Sequence, residues 1–513
     1  MFRKQWILST IVLCLILVQI QSASAQSASR PREQTLIWCS VSPIQSLDPT
    51  AHRDRETQMV LKHMFESLTT RNQKMEIVPQ LATHWNAVNQ TTWEFQLKHD
   101  VTFHDGSRFT AKDVVFTFQR ILEDTGSEQS ARKGLFEHIT SVTAIDPYTV
   151  RFKTKQPWPI LPLMLSLQEI IPAHDTQRPM VKKTIGTGPF RFVEMQTDQE
   201  LVMERYSGYH QTPDTAIPPE LLPRFLIFKK VNGFTSQIAQ LKKGECDIIH
   251  QVPVDSLSIL GSSTDISVAF IKATRSFFAD INVTKPPFDQ INVRQALNYL
   301  IDKNVVVQTI LYGHGQTLPT ILQADTFSFD PDLKPYPYDP LLAASILRQA
   351  GITRGTPIKI LTPRENSRFA FTLASFLTRA GLVSQIEEIE ERKPPQLGAE
   401  ATWNLFVTSW GNTTLDPVDI MIPKLQTGGR GNYSGYSSPK VDQLFIEAEA
   451  ALDSEVRKRL YQEIQRIVFE DAPMIFGYAA QEFYAYRNHF VHNFIPAPSG
   501  FPDLRQVYLK TER

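Results

Sequence analysis

Short alternations of apolar and polar residues predict β-strands in the first part of the chain. Residues 93–97 alternate as a half-buried strand does, and residues 101–103 continue the alternation after a break. Residues 149–152 form a further short strand. Asp105-Gly106 and Gly186-Thr187-Gly188-Pro189 are turn signals, and the second leads into another strand.

Helical spacing appears where capping residues precede it. Thr110 with Asp113 three residues later begins a helix, and Val115, Phe118 and Leu122 are predicted as its buried face.

The second half of the chain is more helical. Further helices are predicted from Val293, after Asp302, from Asp339-Pro340, from Pro439 and after Asp453. The last of them ends before Pro473, and its predicted buried residues are Val456, Leu460, Ile464, Ile467 and Val468. Strands and helices are mixed without strict alternation, which predicts a mixed α/β (α+β) fold with several cores.

Composition narrows the class of protein. The chain has 513 residues, enough for two to four domains, with 42% hydrophobic and 21% charged residues. These fractions are typical of globular proteins and exclude disordered or coiled-coil chains. Lys+Arg and Asp+Glu both number 53. We therefore expect no nucleic-acid partner, because such partners require concentrated basic residues.

The first 25 residues are predicted to be a secretory signal peptide. Arg3 and Lys4 precede an uncharged apolar run over residues 6–20, and Ala23-Ser24-Ala25 fits a cleavage site. A membrane anchor is disfavoured because the run is short for a bilayer span. Lipid attachment at Cys14 is not expected. The mature protein is predicted to begin at Gln26 and to be exported to the periplasm.

Cys39 and Cys246 are the two cysteines that remain after cleavage. Export to an oxidising compartment favours a disulfide, but two buried free thiols fit the count equally well.

The motifs of common enzymes are missing from the sequence. It has no H-E-x-x-H, P-loop or G-x-S-x-G motif, and residues 431–435 miss the last by one position. Gly186-Thr187-Gly188 lacks the third glycine of a phosphate loop. His99 and His104 beside Asp105 are not expected to share a metal, since they would point to opposite faces of a strand. No catalytic residue, metal or cofactor is predicted.

Two loop-like segments are candidates for a ligand cleft. Trp410-Gly411-Asn412-Thr413-Thr414 interrupts the strand predicted at residues 405–407, and residues 430–436 carry an arginine and two tyrosines among glycines. Aromatic rings on such loops suit a ligand site, although ordinary core packing explains them as well.

Several motifs in a fixed order resemble one known family over about residues 35–494. They are Pro79-Gln80-Leu81-Ala82-Thr83-His84-Trp85, Val101-Thr102-Phe103-His104-Asp105-Gly106 with Phe109-Thr110-Ala111-Lys112-Asp113-Val114, Gly186-Thr187-Gly188-Pro189-Phe190 with Glu204-Arg205, and Pro287-Phe288-Asp289 followed by Val293-Arg294-Gln295-Ala296-Leu297-Asn298 and Ile301-Asp302-Lys303. Together they resemble the extracellular solute-binding proteins of family 5, the periplasmic dipeptide-, oligopeptide- and nickel-binding components of ABC importers.

The resemblance implies the type II fold of periplasmic binding proteins, with two lobes, three domains and a two-strand hinge. The expected segments are 1–25 for the signal peptide, 26–68, 184–272 and 486–513 for domain I, 69–183 for the inserted domain II, and 273–485 for domain III, which forms the second lobe. The hinge crossings are expected near Ala273 and at residues 478–487.

The resemblance also implies residue roles. Cys39 and Cys246 stand where dipeptide-binding relatives place a disulfide. Trp410 stands where peptide binders have a tryptophan followed three residues later by an aspartate that pairs with the peptide ammonium. Here that position is Thr413, so unmodified peptides are expected to bind weakly unless Asp416 or Asp419 supplies the charge. The residues expected to contact the ligand are Trp410, Gly411, Asn412, Thr413, Arg430, Asn432 and Tyr433, with Arg430 receiving a carboxylate or phosphate.

The predicted function is capture of a peptide or peptide-like solute and its delivery to an inner-membrane ABC permease. Two alternatives are kept: an exported hydrolase of peptides or esters, and a ligand sensor that is not coupled to transport. A monomeric protein without enzymatic activity is expected.

Overall fold

The computed structural model describes residues 30–123, 130–176, 184–196, 200–211, 216–272, 274–390, 395–397 and 401–510. The predicted signal peptide lies outside these residues. Within them, no helix combines the length and the apolar character that crossing a membrane requires.

The described chain alternates irregularly between strands and helices, as the sequence predicts. The strands are β1 Thr35–Ser40, β2 Thr69–Arg71, β3 Ile77–Pro79, β4 Ala82–Asn89, β5 Thr92–Leu97, β6 Ile139–Asp146, β7 Thr149–Thr154, β8 Phe190–Gln196, β9 Glu200–Arg205, β10 Phe225–Lys230, β11 Ile248–His250, β12 Ile266–Ile271, β13 Arg275–Ile281, β14 Gly315–Thr317, β15 Pro357–Pro363, β16 Val383–Ile389, β17 Leu405–Gly411, β18 Met474–Ala480, β19 Glu482–Arg487, β20 Val491–His492 and β21 Tyr508–Leu509. The helices are α1 Arg55–Met64, α2 Ala111–Leu122, α3 Leu161–Leu165, α4 Phe234–Lys243, α5 Leu257–Gly261, α6 Ile291–Tyr299, α7 Lys303–Leu311, α8 Pro340–Gln349, α9 Ser367–Arg379, α10 Met421–Leu425, α11 Pro439–Ala450 and α12 Ser454–Asp471.

The first sheet has seven strands in the order β12-β19-β11-β1-β10-β9-β8. Its centre is parallel, because β1 pairs in the same direction with both β10 and β11. Cys39 on β1 is bonded to Cys246, two residues before the start of β11, with the two Cα atoms 5.9 Å apart. The disulfide implied by the family resemblance is therefore present and lies between adjacent strands.

A four-stranded antiparallel sheet, β4-β5-β7-β6, lies in the chain between β1 and β8. Helix α2 covers it, and Phe118 of that helix meets the ring of Phe152 edge-on at 5.1 Å. We call the first sheet, this four-stranded sheet, the two-stranded sheet β2-β3, and their helices and connecting segments the first lobe.

The second sheet has six strands in the order β14-β18-β13-β17-β15-β16, and we call it and its helices the second lobe. Apolar cores cover both of its faces, one including Leu297 and Phe369, the other Phe445 and Ile464. The chain passes between the lobes from β12 to β13 and again from β18 to β19, which are separated by one residue.

The Gly186-Thr187-Gly188 turn serves close packing. A Cβ atom on Gly186 would lie 2.1 Å from the backbone oxygen of Met64, and one on Gly188 would lie 2.5 Å from the Met64 carbonyl carbon. The Gly188 N–H donates to the Met64 oxygen at 2.9 Å. The glycines therefore let this turn pass against the end of α1.

Most predicted elements are confirmed, and several details of the prediction are wrong. The buried face of α2 is Val114, Phe118 and Ile121, while Val115 and Leu122 are half-buried. On α12, Val456 is exposed, and Leu460 and Ile467 are only half-buried. Within residues 101–103, only Thr102 forms a β-bridge, an isolated one to Arg108, and no strand forms there. Strand β17 continues through Trp410 to Gly411, because β13 pairs with it along its whole length.

Candidate functional site

Polar contacts join the two lobes. The Arg71 guanidinium of the first lobe donates to the Thr413 carbonyl oxygen of the second lobe. On another part of the boundary, Arg368 and Asp255 form an ion pair at 2.7 Å. The surface around Thr413 includes most of the residues predicted to bind the ligand.

Two aromatic side chains form one wall of this region. Trp410, near the end of β17, donates its indole N–H to the Asp419 carbonyl oxygen at 2.9 Å. The ring of Tyr433 meets Phe406 edge-on with centroids 5.5 Å apart. Trp410 and Tyr433 are half-buried, so each keeps some surface that a ligand could contact.

A buried ion pair lies behind these rings. The Lys424 ammonium is 2.7 Å from the Asp280 carboxylate, and both side chains are fully buried. The ammonium also lies 4.6 Å from the Tyr433 ring centroid and 5.8 Å from that of Trp410. Burial lowers the pKa of Lys424 and raises the pKa of Asp280, whereas their mutual attraction opposes both shifts. The sequence analysis missed this pair, whose members are far apart in the chain.

Arg430 is exposed and lies over the Trp410 ring at 4.7 Å from its centroid. Among the described residues, no carboxylate forms an ion pair with it. Arg53 of the first lobe interacts electrostatically with Arg430. Burial lowers the pKa of Arg53, and the positive charge of Arg430 lowers that pKa further. The exposed Arg430 guanidinium could therefore receive an anionic group of a ligand.

Thr413 contacts a carboxylate from its own loop. The Asp419 carboxylate accepts hydrogen bonds from the Thr413 hydroxyl at 3.2 Å, from the Thr414 N–H at 3.2 Å and from the Thr414 hydroxyl at 3.3 Å. Burial raises the pKa of Asp419, and these bonds and the charge of Arg71 oppose the shift. Burial lowers the pKa of Arg71 to about 10, against the attraction of Asp419.

Asp416, the other carboxylate that the sequence offers for a ligand ammonium, is already paired with an arginine of its own lobe. It accepts two hydrogen bonds from the Arg457 guanidinium, at 2.7 and 2.6 Å. Of the two aspartates, only Asp419 contacts Thr413.

The two asparagines of the predicted site hold their loops in place. Asn412 has no exposed surface, and its amide donates to Gln323 at 3.3 Å and to Thr326 at 3.2 Å. The Asn432 amide donates to the carbonyl oxygens of Gln426 and Tyr436 at 2.9 and 2.7 Å.

Gly411, the last residue of β17, is half-buried. The seven predicted residues thus lie at the end of β17, in the turn that follows it and in the loop after α10, and direct ligand contact by any of them stays a prediction.

The histidines that suggested a metal site have separate partners. His104 bonds through Nε2 to the Gly188 carbonyl oxygen at 2.9 Å, and His99 stacks on Tyr148 at 4.0 Å. Asp105 pairs with His174 at 2.8 Å. In the described part of the chain, no group of three or more metal-ligating side chains converges.

Comparisons with known proteins agree on one family. The profile of the Bacterial extracellular solute-binding proteins, family 5 Middle, matches residues 76–432. The chain is similar to heme-binding protein A of Haemophilus influenzae, with 26% identity over 507 residues that cover 89% of this chain and 90% of that protein. It is also similar to the glutathione-binding protein GsiB of Pectobacterium atrosepticum, with 26% identity over 456 residues, 84% of this chain and 86% of that protein. Among solved structures, HbpA2 from Haemophilus parasuis superimposes with a TM-score of 0.81 at 22% identity, covering 93% of this chain and 100% of that one.

Proposed function

Because the chain belongs to the bacterial extracellular solute-binding proteins of family 5, the binding components of ABC importers, we propose that it captures a peptide-like, anionic solute between its lobes and delivers it to a membrane permease. The relatives are binding proteins, which supports this function over an exported hydrolase. The observation that carries the proposal is the double passage of the chain between two lobes that also contact each other through polar side chains. Closure about such a hinge is an established way to enclose a ligand.

The charges around the aromatic wall favour an anionic ligand. Lys424 is neutralised by Asp280, whereas Arg430 is exposed and stacks on Trp410. A planar guanidinium binds carboxylate and phosphate through paired hydrogen bonds. Heme and glutathione, which give two relatives their names, both carry carboxylates. We assign Arg430 as the residue that receives the anionic group, with Arg53 nearby on the first lobe.

The surroundings of Thr413 disfavour a free ammonium. Thr413 is neutral, and the nearby Asp419 already faces the positive charge of Arg71. A ligand ammonium buried there would have to compete with this arginine for the carboxylate. A buried charge without its own partner costs several kcal/mol. The preferred ligands are therefore peptides or conjugates whose corresponding end is uncharged.

The remaining features of the proposal concern the mature protein. It is a periplasmic monomer released from its signal peptide after Ala25, and it has no nucleic-acid partner. Relatives with the same role are named as periplasmic binding proteins, which supports the compartment.

The proposal is tested with protein isolated from the periplasm of its host. Native mass spectrometry is expected to show a retained small molecule, and N-terminal sequencing is expected to start at Gln26. Addition of that molecule to stripped protein should reduce the radius of gyration in small-angle scattering. A protein that carries no small molecule and gives identical scattering curves with periplasmic extract and with buffer would contradict the proposal.

A further inference from the structure

A cavity of about 420 Å³ lies between the two lobes beside the Thr413 loop. Its volume falls within the range of ligand-binding cavities, about 300–1,000 Å³. Most of its lining is apolar, with Met75, Ile160 and Leu163 from the first lobe and Phe327, Leu415 and Leu452 from the second. Thr414 also lines it, so the cavity begins one residue beyond Thr413.

Three of the four charged side chains that line this cavity belong to ion pairs, and the fourth, Lys74, is exposed to water. Asp416 and Arg457 both line it and form the two-bond ion pair described above. Asp325 at the rim pairs with Lys272 at 3.0 Å. A charged ligand group would gain little here, whereas an apolar group would be removed from water against aliphatic and aromatic side chains.

Two lining residues adopt a backbone conformation that bulky side chains rarely take. Met75 has a φ of 64° and Leu415 a φ of 51°. They belong to different lobes, and both line the same cavity. Strained backbone of this kind persists where the surrounding structure holds it, and it is concentrated at functional sites.

Leu415 also connects the cavity to the predicted ligand loop. Its N–H donates to the Asn412 carbonyl oxygen at 3.2 Å, and its own carbonyl oxygen accepts from the Phe327 N–H at 2.8 Å. The wall of the cavity and the loop that carries Thr413 are therefore one hydrogen-bonded unit.

We propose that this cavity is a second compartment of the ligand site and that it binds an apolar chain attached to the end of the ligand next to Thr413. The inference rests on the proposed function and specifies its ligand as an N-acylated peptide or a conjugate of the same chemistry. An acyl group converts the ammonium into a neutral amide, which suits Thr413 and the Asp419 carboxylate already facing Arg71. The acyl chain then continues past Thr414 into the apolar cavity.

The test compares two peptides that differ only in chain length, N-acetyl-dialanine and N-hexanoyl-dialanine, by calorimetry on the mature protein. Each buried methylene adds about a fourfold gain in affinity. With partial burial of the four additional methylenes, the hexanoyl peptide should bind at least about tenfold tighter. In Leu452→Trp, whose new ring would occupy the cavity, this advantage should fall to about twofold or less.

Leu342→Trp is the matched control, because Leu342 is 43% exposed on α8 and Leu452 is 48% exposed at the cavity. The control should keep the full chain-length advantage. Equal affinity of the two peptides for the wild type, or an advantage that persists in Leu452→Trp, would overturn the second compartment. Failure of both peptides to bind at millimolar concentration would overturn it as well. None of these results contradicts the proposed function, which depends on the molecule retained in native mass spectrometry.

Discussion

The Lys424 ammonium and the Asp280 carboxylate meet at 2.7 Å beneath the aromatic wall, with both side chains fully buried. Helix α10 carries Lys424 and the central strand β13 of the second sheet carries Asp280. The pair therefore connects the loop region of the site to the middle of its sheet.

Removing one member of this pair should destabilise the protein strongly. In Asp280→Asn, the Lys424 ammonium stays buried without its counter-charge, and we expect a loss of about 3–5 kcal/mol in the free energy of unfolding. The double variant Asp280→Leu/Lys424→Met replaces both charges with apolar groups and should stay within about 2 kcal/mol of the wild type. Urea unfolding curves measure both. Equal stability of Asp280→Asn and the wild type would contradict the prediction.

Arg430→Gln should weaken binding of N-acetyl-dialanine about tenfold to a hundredfold, because a hydrogen bond to a charged group contributes about 1.5–3 kcal/mol. The carboxamide form of the same peptide should bind wild type and variant alike. Arg379→Gln serves as control, since Arg379 also stacks on a ring, Phe376, at 5.6 Å, but lies on α9 away from the predicted site residues. Calorimetry that shows the same loss for the carboxamide peptide would rule out a carboxylate contact.

Thr413→Asp should improve binding of unmodified dialanine by at least about tenfold, because it supplies a carboxylate for the ligand ammonium. Asp419→Asn should leave the weak binding by the wild type unchanged, since Asp419 is already compensated by Arg71. Calorimetry decides between the two aspartate positions. Low-micromolar binding of dialanine to the wild type that is lost in Asp419→Asn would identify Asp419 as the ammonium partner and contradict the expectation.

His104 should make the protein sensitive to mild acid. Its Nε2 donates to the Gly188 carbonyl oxygen, and its Nδ1 accepts from the Gly186 N–H at 3.3 Å, so the ring is held in one neutral tautomer. Burial lowers its pKa to about 4 from the usual 6.5. The unfolded state therefore binds more protons between about pH 6.5 and pH 4, and stability falls as the pH decreases through this window.

Between pH 7 and pH 5, this linkage lowers the free energy of unfolding by about 2 kcal/mol. His104→Gln should lose that much less stability than the wild type between pH 7 and pH 5, as measured by urea unfolding at each pH. His84→Gln, at an exposed histidine, should behave as the wild type does. A wild-type protein whose pH dependence matches that of His104→Gln would show that His104 is not the responsible group.

The disulfide should stabilise the first lobe through the chain segment it closes. Cys39 and Cys246 are separated by 207 residues, for which the chain-entropy model gives up to about 5 kcal/mol. Cys39→Ser/Cys246→Ser should lower the free energy of unfolding by several kcal/mol, toward that limit. The exported wild-type protein should show no free thiol when denatured without reductant. Two thiols titrating under those conditions would refute the bond in the native protein.

Local signals made much of the fold predictable. The helix starts at Asp339 and Asp453 were found because each carboxylate accepts a backbone N–H within its own first turn. The periodicity correctly places Phe118 on the buried face of its helix. That face also includes Val114 and Ile121, whereas the predicted Val115 and Leu122 are half-buried. The sheet that α2 contacts fixes this rotation, and periodicity alone does not specify it.

The site was predictable in its residues and much less in their environment. Trp410 and Arg430 are prominent in the sequence, yet their stacking depends on how the loop that carries Arg430 packs against the end of β17. Lys424 and Asp280 give no signal at all, since 144 residues separate them and each looks like an ordinary surface charge. The role of Asp419 also required the structure, because its carboxylate folds back over a turn onto Thr413.

Strand β19 lies between β11 and β12 in the first sheet, although it follows the entire second lobe in the chain. A chain that emerges from the translocation channel with its N-terminus first therefore presents β11 and β12 long before β19 arrives to join them. Until then, β11 keeps an open edge of unpaired backbone groups, which is a hazard for aggregation. Both cysteines emerge early enough to be oxidised during this interval. The disulfide can hold β1 next to β11 while the second lobe is still being translocated. Its stabilising effect can therefore be greatest on the incompletely folded chain.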